Sequence, residues 1–162
     1  MTNELQHKLD LINRGRLLGK PEVGASEIVE VMFGPSTKLF AYGTLRPGEP
    51  NSHKLDGFAG DWTDATVKGS LSDDGWGATE GYPAITLDPE GANVSGSILA
   101  SSDLTDNWGA LDEFEGAEYC RLLTCAQRAD DVVEVVNVYA LREPEEKRHG
   151  KPEALQESPD AP

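Results

Sequence analysis

Residues 39–50 read LFAYGTLRPGEP, and how this apolar run ends decides the fold. Leu39, Phe40 and Ala41 suit a short buried strand. Tyr42 and Gly43 close it, and Arg46, Pro47 and Gly48 turn the chain. Two readings are open. One is a plain reversal built on Pro47 and Gly48. The other is a loop whose backbone N–H groups face a ligand, because Gly43 tolerates positive φ and has no side chain to block approach.

Outward from this stretch, short apolar runs alternate with Gly, Asp and Pro clusters as far as residue 142, the pattern of a β-rich domain. Strands are expected over 38–42, 65–71, 84–87, 93–99, 121–128 and 132–141. Asp130 and Asp131 mark a hairpin between the last two. Residues 72–81, SDDGWGATEG, read as a long polar loop. In the last strand Val133, Val135, Asn137, Tyr139 and Leu141 share a face. An Asn and a Tyr among aliphatics would line a polar pocket inside a barrel. Otherwise they mark a surface hydroxyl and a strand bend.

Upstream lies an N-terminal extension, 1–37, expected to be partly helical. Asn3 reads as an N-cap, Leu5, Leu9 and Ile12 recur at helical spacing, and Gly19 and Pro21 stop the helix. Residues 28–33 fit a short strand or a second helix. The extension packs either on the core or on a second subunit. Downstream, 143–162 is rich in Pro, Glu and Lys and reads as a disordered acidic tail.

The chain has 162 residues, enough for one domain, and a formal net charge of -15. That charge repels phosphate backbones and anionic membrane surfaces, so neither nucleic acid nor membrane is an expected partner. No run approaches the roughly 20 apolar residues of a membrane-spanning helix. The opening residues, MTNELQHKLD, hold no apolar segment of a secretory signal, and the cytoplasm is the expected compartment. Cys120 and Cys125 are an odd number of residues apart on one strand, hence on opposite faces, which argues against a disulfide. His7, His53 and His149 are scattered and make no metal constellation. Neither a G-x-S-x-G elbow nor a phosphate-binding P-loop is present.

One helix is expected inside the β-rich region. Ser101, Ser102 and Asp103 supply capping side chains. Leu104, Trp108, Leu111 and Glu115 then follow at spacings of four, three and four, a single helical stripe. Gly116 ends it. A carboxylate therefore continues an apolar face. Burial and the helix C-terminus both raise its pKa, which suits a group that takes and returns protons near neutral pH. The alternative is that the helix frays at Phe114 and Glu115 reaches solvent.

YGTLRPG (42–48), GYPAI (81–85), LDEFEG (111–116) and Tyr119-Cys120-Arg121, in that order, resemble the γ-glutamylcyclotransferase family and most of all its AIG2-like branch, which includes the γ-glutamylamine cyclotransferases. The likeness covers residues 38–142. It implies an α+β fold, a small mixed β-barrel with one helix packed across it. It implies release of 5-oxoproline from a small-molecule γ-glutamyl substrate with no metal or cofactor. By the same likeness Glu115 is the general base and acid, and Tyr42, Gly43, Thr44 and Leu45 hold the glutamyl group. Tyr82, Tyr119 and Tyr139 are candidate pocket residues. Arg46 is either a carboxylate clamp or a solvent-facing turn residue. Arg121 either binds substrate or pairs with an acid of the neighbouring helix. A homodimer through the N-terminal extension is a further expectation. The alternative to an enzyme is an inactive γ-glutamyl-binding or scaffold protein on the same fold.

Overall fold

The computed structural model describes residues 2–72 and 83–142. The expected loop beyond Ser72, Tyr82 and the expected acidic tail lie outside the described residues. The elements are α1 (Asn3–Leu18), α2 (Val23–Phe33), β1 (Lys38–Ala41), β2 (Asp61–Ser72), β3 (Ala84–Leu87), β4 (Ala92–Ala100), α3 (Leu104–Glu115), β5 (Tyr119–Arg128) and β6 (Val133–Leu141). All six expected strands are present. β2 starts four residues earlier than expected, because its polar start pairs with β4 through the backbone while Asp61 and Asp64 face solvent.

The strands run β3-β2-β4-β1-β6-β5, and β5 pairs again with β2 through Ala126, Gln127 and Arg128. This closes a five-stranded barrel with β3 as an extra strand on β2. All pairings are antiparallel except β1 with β6. That exception matters for the site. Two parallel neighbours finish at one end of the barrel, and β5, antiparallel to β6, begins there.

One cluster of buried side chains joins the strands, among them Phe40, Val67, Ile98, Leu122, Val136 and Val138. Residues of the opposite parity face outward and are covered by helices. Leu104, Trp108 and Leu111 of α3 lie on Leu39, Ala41, Leu99 and Tyr139. The expected stripe is therefore the buried face of α3. α1 and α2 form a hairpin that lays Leu9, Ile12, Ala25 and Val29 on Leu123 and Val135. Of the two expectations for the extension, packing on the core is the one observed. The segment 28–33 is helical, since Ala25 and Val29, four apart, reach the barrel together. The first helix starts one residue earlier than expected: Thr2, not Asn3, is the cap, its hydroxyl accepting from the Leu5 N–H at 3.3 Å.

α1 also solves an edge problem. β2 leaves β5 after their short pairing, so the start of β5 has backbone groups with no strand beside them. Asn13 takes their place. Its amide donates to the Leu123 carbonyl at 2.8 Å, and its oxygen accepts from the Leu123 N–H at 2.7 Å. Arg16 donates to the Arg121 carbonyl at 3.0 Å. At the far end of β5, Asp131 has φ 66 and the Arg128 N–H donates to the Val132 carbonyl, which forms the expected hairpin. Cys120 and Cys125 are not joined in a disulfide. Cys120 joins the inter-strand cluster and Cys125 packs with the α1–α2 cluster, as their odd spacing requires.

Asn13→Ala strands a half-buried N–H and C=O together. It should lower unfolding stability by about 1–3 kcal/mol, seen as a fall in urea midpoint at unchanged slope. A midpoint within error of the wild type would remove Asn13 from the edge.

Candidate active site

The ends of β1, β5, β6 and α3 enclose a cavity lined by Tyr42, Gly43, Thr44, Leu45, Pro83, Glu115, Tyr119 and Tyr139, with Leu39, Phe40 and Ala41 at its base. It offers about 60 Å3 to the centres of water-sized molecules, enough for a few waters or one small polar head group. Seven residues singled out from the sequence meet here. Tyr82 lies outside the described residues.

Arg46 does not line this cavity. Its guanidinium is 3.5 Å from Glu49, three residues on. It borders a separate open depression with Asp64, Ser97 and Arg128.

The loop after β1 is held from behind. The Arg46 N–H donates to the Gly43 carbonyl at 3.2 Å, and the Asn51 N–H to the Thr44 carbonyl at 3.0 Å. The Asn51 side-chain amide also donates to the Thr44 hydroxyl at 3.0 Å. Among the described residues, no backbone carbonyl accepts from the N–H groups of Gly43, Thr44 or Leu45 in this loop. The conformational reason expected for Gly43 is corrected. Its φ is not positive, and the left-handed glycine of this loop is Gly48, φ 83. A Cβ at Gly43 would touch nothing among the described residues, so what it leaves open there is space.

Tyr42 fastens the loop to the barrel mouth. Its hydroxyl donates to the Tyr139 carbonyl at 2.7 Å and accepts from the Ile85 N–H at 3.1 Å. One side chain thus bridges β6 and β3. Its ring stacks on Phe40, with centroids 6.5 Å apart. Burial raises the pKa of this phenol, so it stays protonated and keeps donating.

Glu115 is the last residue of α3, and Gly116 follows with φ 84 and ψ 179, a conformation open only to glycine. Helix α3 does not fray at Phe114. Burial pushes the Glu115 carboxyl from its ordinary 4.5 up to about 7. Tyr119 stands beside it. Burial, then the charges of Glu115 and Glu118, raise its phenol.

Asn137 and Tyr139 are buried, 1% and 5% exposed, but not inside the barrel, which is one of the two readings left open by the strand pattern. Their parity puts them on the outer face, beneath α3 and α1. The Tyr139 hydroxyl donates to Asp112 Oδ1 at 2.7 Å. Arg121 Nε donates to the same oxygen at 2.9 Å, and its guanidinium lies 4.4 Å from the Trp108 ring centre. The expected pairing of Arg121 with an acid of α3 is present, and the acid is Asp112. Asn137 donates to the Pro35 carbonyl at 2.7 Å and accepts from Arg16 at 2.8 Å. The sequence reading did not single out Arg16. Its one signal was a cation on the barrel-facing side of an amphipathic helix, four residues beyond Ile12.

The Glu115 shift fixes a sign for stability. Between pH 4.5 and about 7 the folded protein keeps a proton that the unfolded chain has released. Stability therefore falls as pH rises through this window, and above it the charged carboxylate costs up to about 3 kcal/mol. Glu115→Gln should match the wild type in urea unfolding at pH 4 and exceed it at pH 8.5. A difference that stays flat with pH would mean Glu115 is solvated.

The chain resembles known proteins in sequence pattern and in fold. The family model described as gamma-glutamyl cyclotransferase, AIG2-like, matches residues 39–158. The match omits the α1–α2 hairpin and runs beyond residue 142. Among solved structures, the chain is similar to YkqA from Bacillus subtilis, with TM-score 0.51 and 26% identity over 65% of this chain and 35% of that one. It thus spans about a third of the Bacillus protein. It is also similar in fold to an AIG2-like protein from Mus musculus, with TM-score 0.53 and 24% identity over 68% of this chain and 80% of that one. No curated protein matches the chain in sequence. A match over most of the chain, taking in both the loop after β1 and Glu115, assigns it to a family: the chain belongs to the AIG2-like γ-glutamyl cyclotransferases.

Proposed function

We propose that the protein is a cyclotransferase that releases 5-oxoproline and a free amine or amino acid from a γ-glutamyl compound. The observation that carries this reading is one carboxyl with a pKa of about 7 in a small cavity shared with a loop whose N–H groups meet no backbone carbonyl among the described residues.

The chemistry needs few parts. The α-amine of a γ-glutamyl compound is tethered within reach of its own γ-carbonyl, so the protein mainly has to impose the attacking conformer. The amine is an ammonium near neutral pH and must first lose a proton. Glu115 takes it. The amine nitrogen then bonds to the γ-carbon, and the carbonyl electrons move onto oxygen. Backbone N–H groups of the 43–45 loop stabilise that oxyanion in a site shielded from water. When the C–N bond to the leaving group breaks and the carbonyl re-forms, Glu115 returns the proton to the departing nitrogen, and the carboxylate so regenerated takes the second proton from the ring nitrogen and passes it to the released amine, which leaves as an ammonium. One group serves as base and then acid, for which a pKa near 7 is best placed. No step calls on a metal or cofactor.

The test is 5-oxoproline release, followed by mass spectrometry, from γ-glutamyl amino acids, γ-glutamyl-ε-lysine and γ-glutamyl alkylamides. Wild type should turn over at least one of them, with kcat/KM falling on the acid side of about pH 7 as Glu115 is protonated. Glu115→Gln should lose about a thousandfold or more, the general base–acid contribution typically being 10²–10⁴. Undiminished turnover in that variant would mean another base. No release from any compound would leave the alternative, a γ-glutamyl-binding protein, which 5-oxoproline would then stabilise in thermal unfolding.

A further inference from the structure

A second, larger cavity adjoins the first on the outer face of the barrel. It offers about 340 Å3 to the centres of water-sized molecules and runs between the C-terminal turn of α1, α3 and the start of β5. Tyr119 and Tyr139 line both cavities. Its charge runs against that of the chain. In a protein of net charge -15, three guanidiniums, Arg16, Arg121 and Arg142, face one carboxylate, Asp112.

Asp112 is already engaged by Arg121 and by the Tyr139 hydroxyl. Arg16 is held by neutral acceptors, the Arg121 carbonyl and Asn137 Oδ1. Arg142 donates to the Leu17 carbonyl at 2.9 Å. Among the described residues neither Arg16 nor Arg142 is in an ion pair. Two cations oriented by neutral acceptors next to a third are electrostatically costly unless an anion joins them. Burial, then the Arg121 charge, pull the pKa of Arg16 down to about 10. It remains protonated at neutral pH.

Position names the anion. Asp112 and Glu115 are three residues apart on α3, a rise of about 4.5 Å. The arginine cavity therefore starts less than one helical turn from the carboxyl that, in the reading above, protonates the departing nitrogen. We propose that this cavity is the leaving-group subsite and that Arg16 and Arg142 bind a carboxylate on the leaving amine, so that γ-glutamyl derivatives of amino acids are preferred over those of plain alkylamines. The proposal rests on the cyclotransferase reading. It gives the N-terminal extension, which lies outside the matched family span, a part in specificity.

The test compares kcat/KM for γ-glutamylalanine and γ-glutamylethylamide, which differ only by the carboxylate. Wild type should favour γ-glutamylalanine by about tenfold or more, the usual scale of a charge-assisted hydrogen bond. Arg16→Gln should lower the γ-glutamylalanine value about tenfold more than the γ-glutamylethylamide value, and Arg16→Lys should recover part of the difference. Arg142→Gln should act in the same direction, and it carries the test if Arg16→Gln does not fold. Equal wild-type rates on the two compounds, or equal losses on both in the variants, would overturn the subsite and leave the cyclotransferase standing. Absence of release from both compounds by folded wild type that still turns over γ-glutamyl-ε-lysine would overturn the subsite alone, and absence of release from the whole panel would overturn the cyclotransferase reading and the subsite with it.

Discussion

The site depends on where α3 ends, and that is fixed by one carboxylate. Asp112 accepts from the Tyr139 hydroxyl at 2.7 Å and from Arg121 at 2.9 Å, tying the last turn of α3 to the end of β6 and the start of β5. Trp108, a turn earlier, stacks under the same guanidinium and donates its indole N–H to the Ser36 carbonyl at 2.9 Å. Each contact is modest alone, a partly exposed ion pair or cation–π contact giving about 0.5–1 kcal/mol. Together they set the rotation of the helix. A slip of one residue would turn Glu115 by about 100° and out of the cavity.

The barrel topology supplies the matching constraint. Because β1 runs parallel to β6, the loop after β1 opens at the end of the barrel where Tyr139 lies. The Tyr42 hydroxyl secures that coincidence by bonding to the backbone of β6 and of β3. A carboxyl from α3 and N–H groups from a β-loop thus share one small cavity though about 70 residues separate them. The burial that raises the Glu115 pKa is the burial that encloses the cavity. Its cost is borne by the apolar contacts of α3, where Leu104, Trp108 and Leu111 are nearly inaccessible.

Much of this was legible in local pattern. The stripe from Leu104 to Glu115 gives the buried face of α3 and the carboxylate at its end, since a period of 3.6 residues needs no tertiary knowledge. Strand parity puts Arg121 on the face of Tyr119, and its pairing with an acid of α3 is one of two readings left open. What could not be read is what depends on distant partners. Asn137 and Tyr139 look like interior polar residues because a strand pattern shows that two faces differ, not which one turns inward. Helix α2 could be mistaken for a strand because Ile28, Val29, Val31 and Phe33 are β-formers, and helix wins only because Ala25 and Val29 find the barrel. Arg16 passed unnoticed because its meaning lies in Asn137 and Arg121, more than 100 residues away.

That last contact changes how the extension is to be regarded. The family match starts in β1, yet in the matched part of this chain β2 leaves one edge of the start of β5 without a partner strand, β6 pairing only the other. In this chain α1 closes the gap with Asn13 and Arg16, and Arg16 then meets Asn137, which hydrogen-bonds to the segment leading into β1. From there the polar contacts run through Arg121 and Asp112 to the end of α3. A helix outside the family's matched span is therefore connected, without a break in hydrogen bonds, to the helix turn that carries Glu115. Such a connected set of polar groups, buried at Asn137 and partly exposed at Asp112, holds its geometry best when all its members are satisfied. The extension is thus part of what holds the site in register, and changes in α1 bear on the cavity through contacts rather than through proximity.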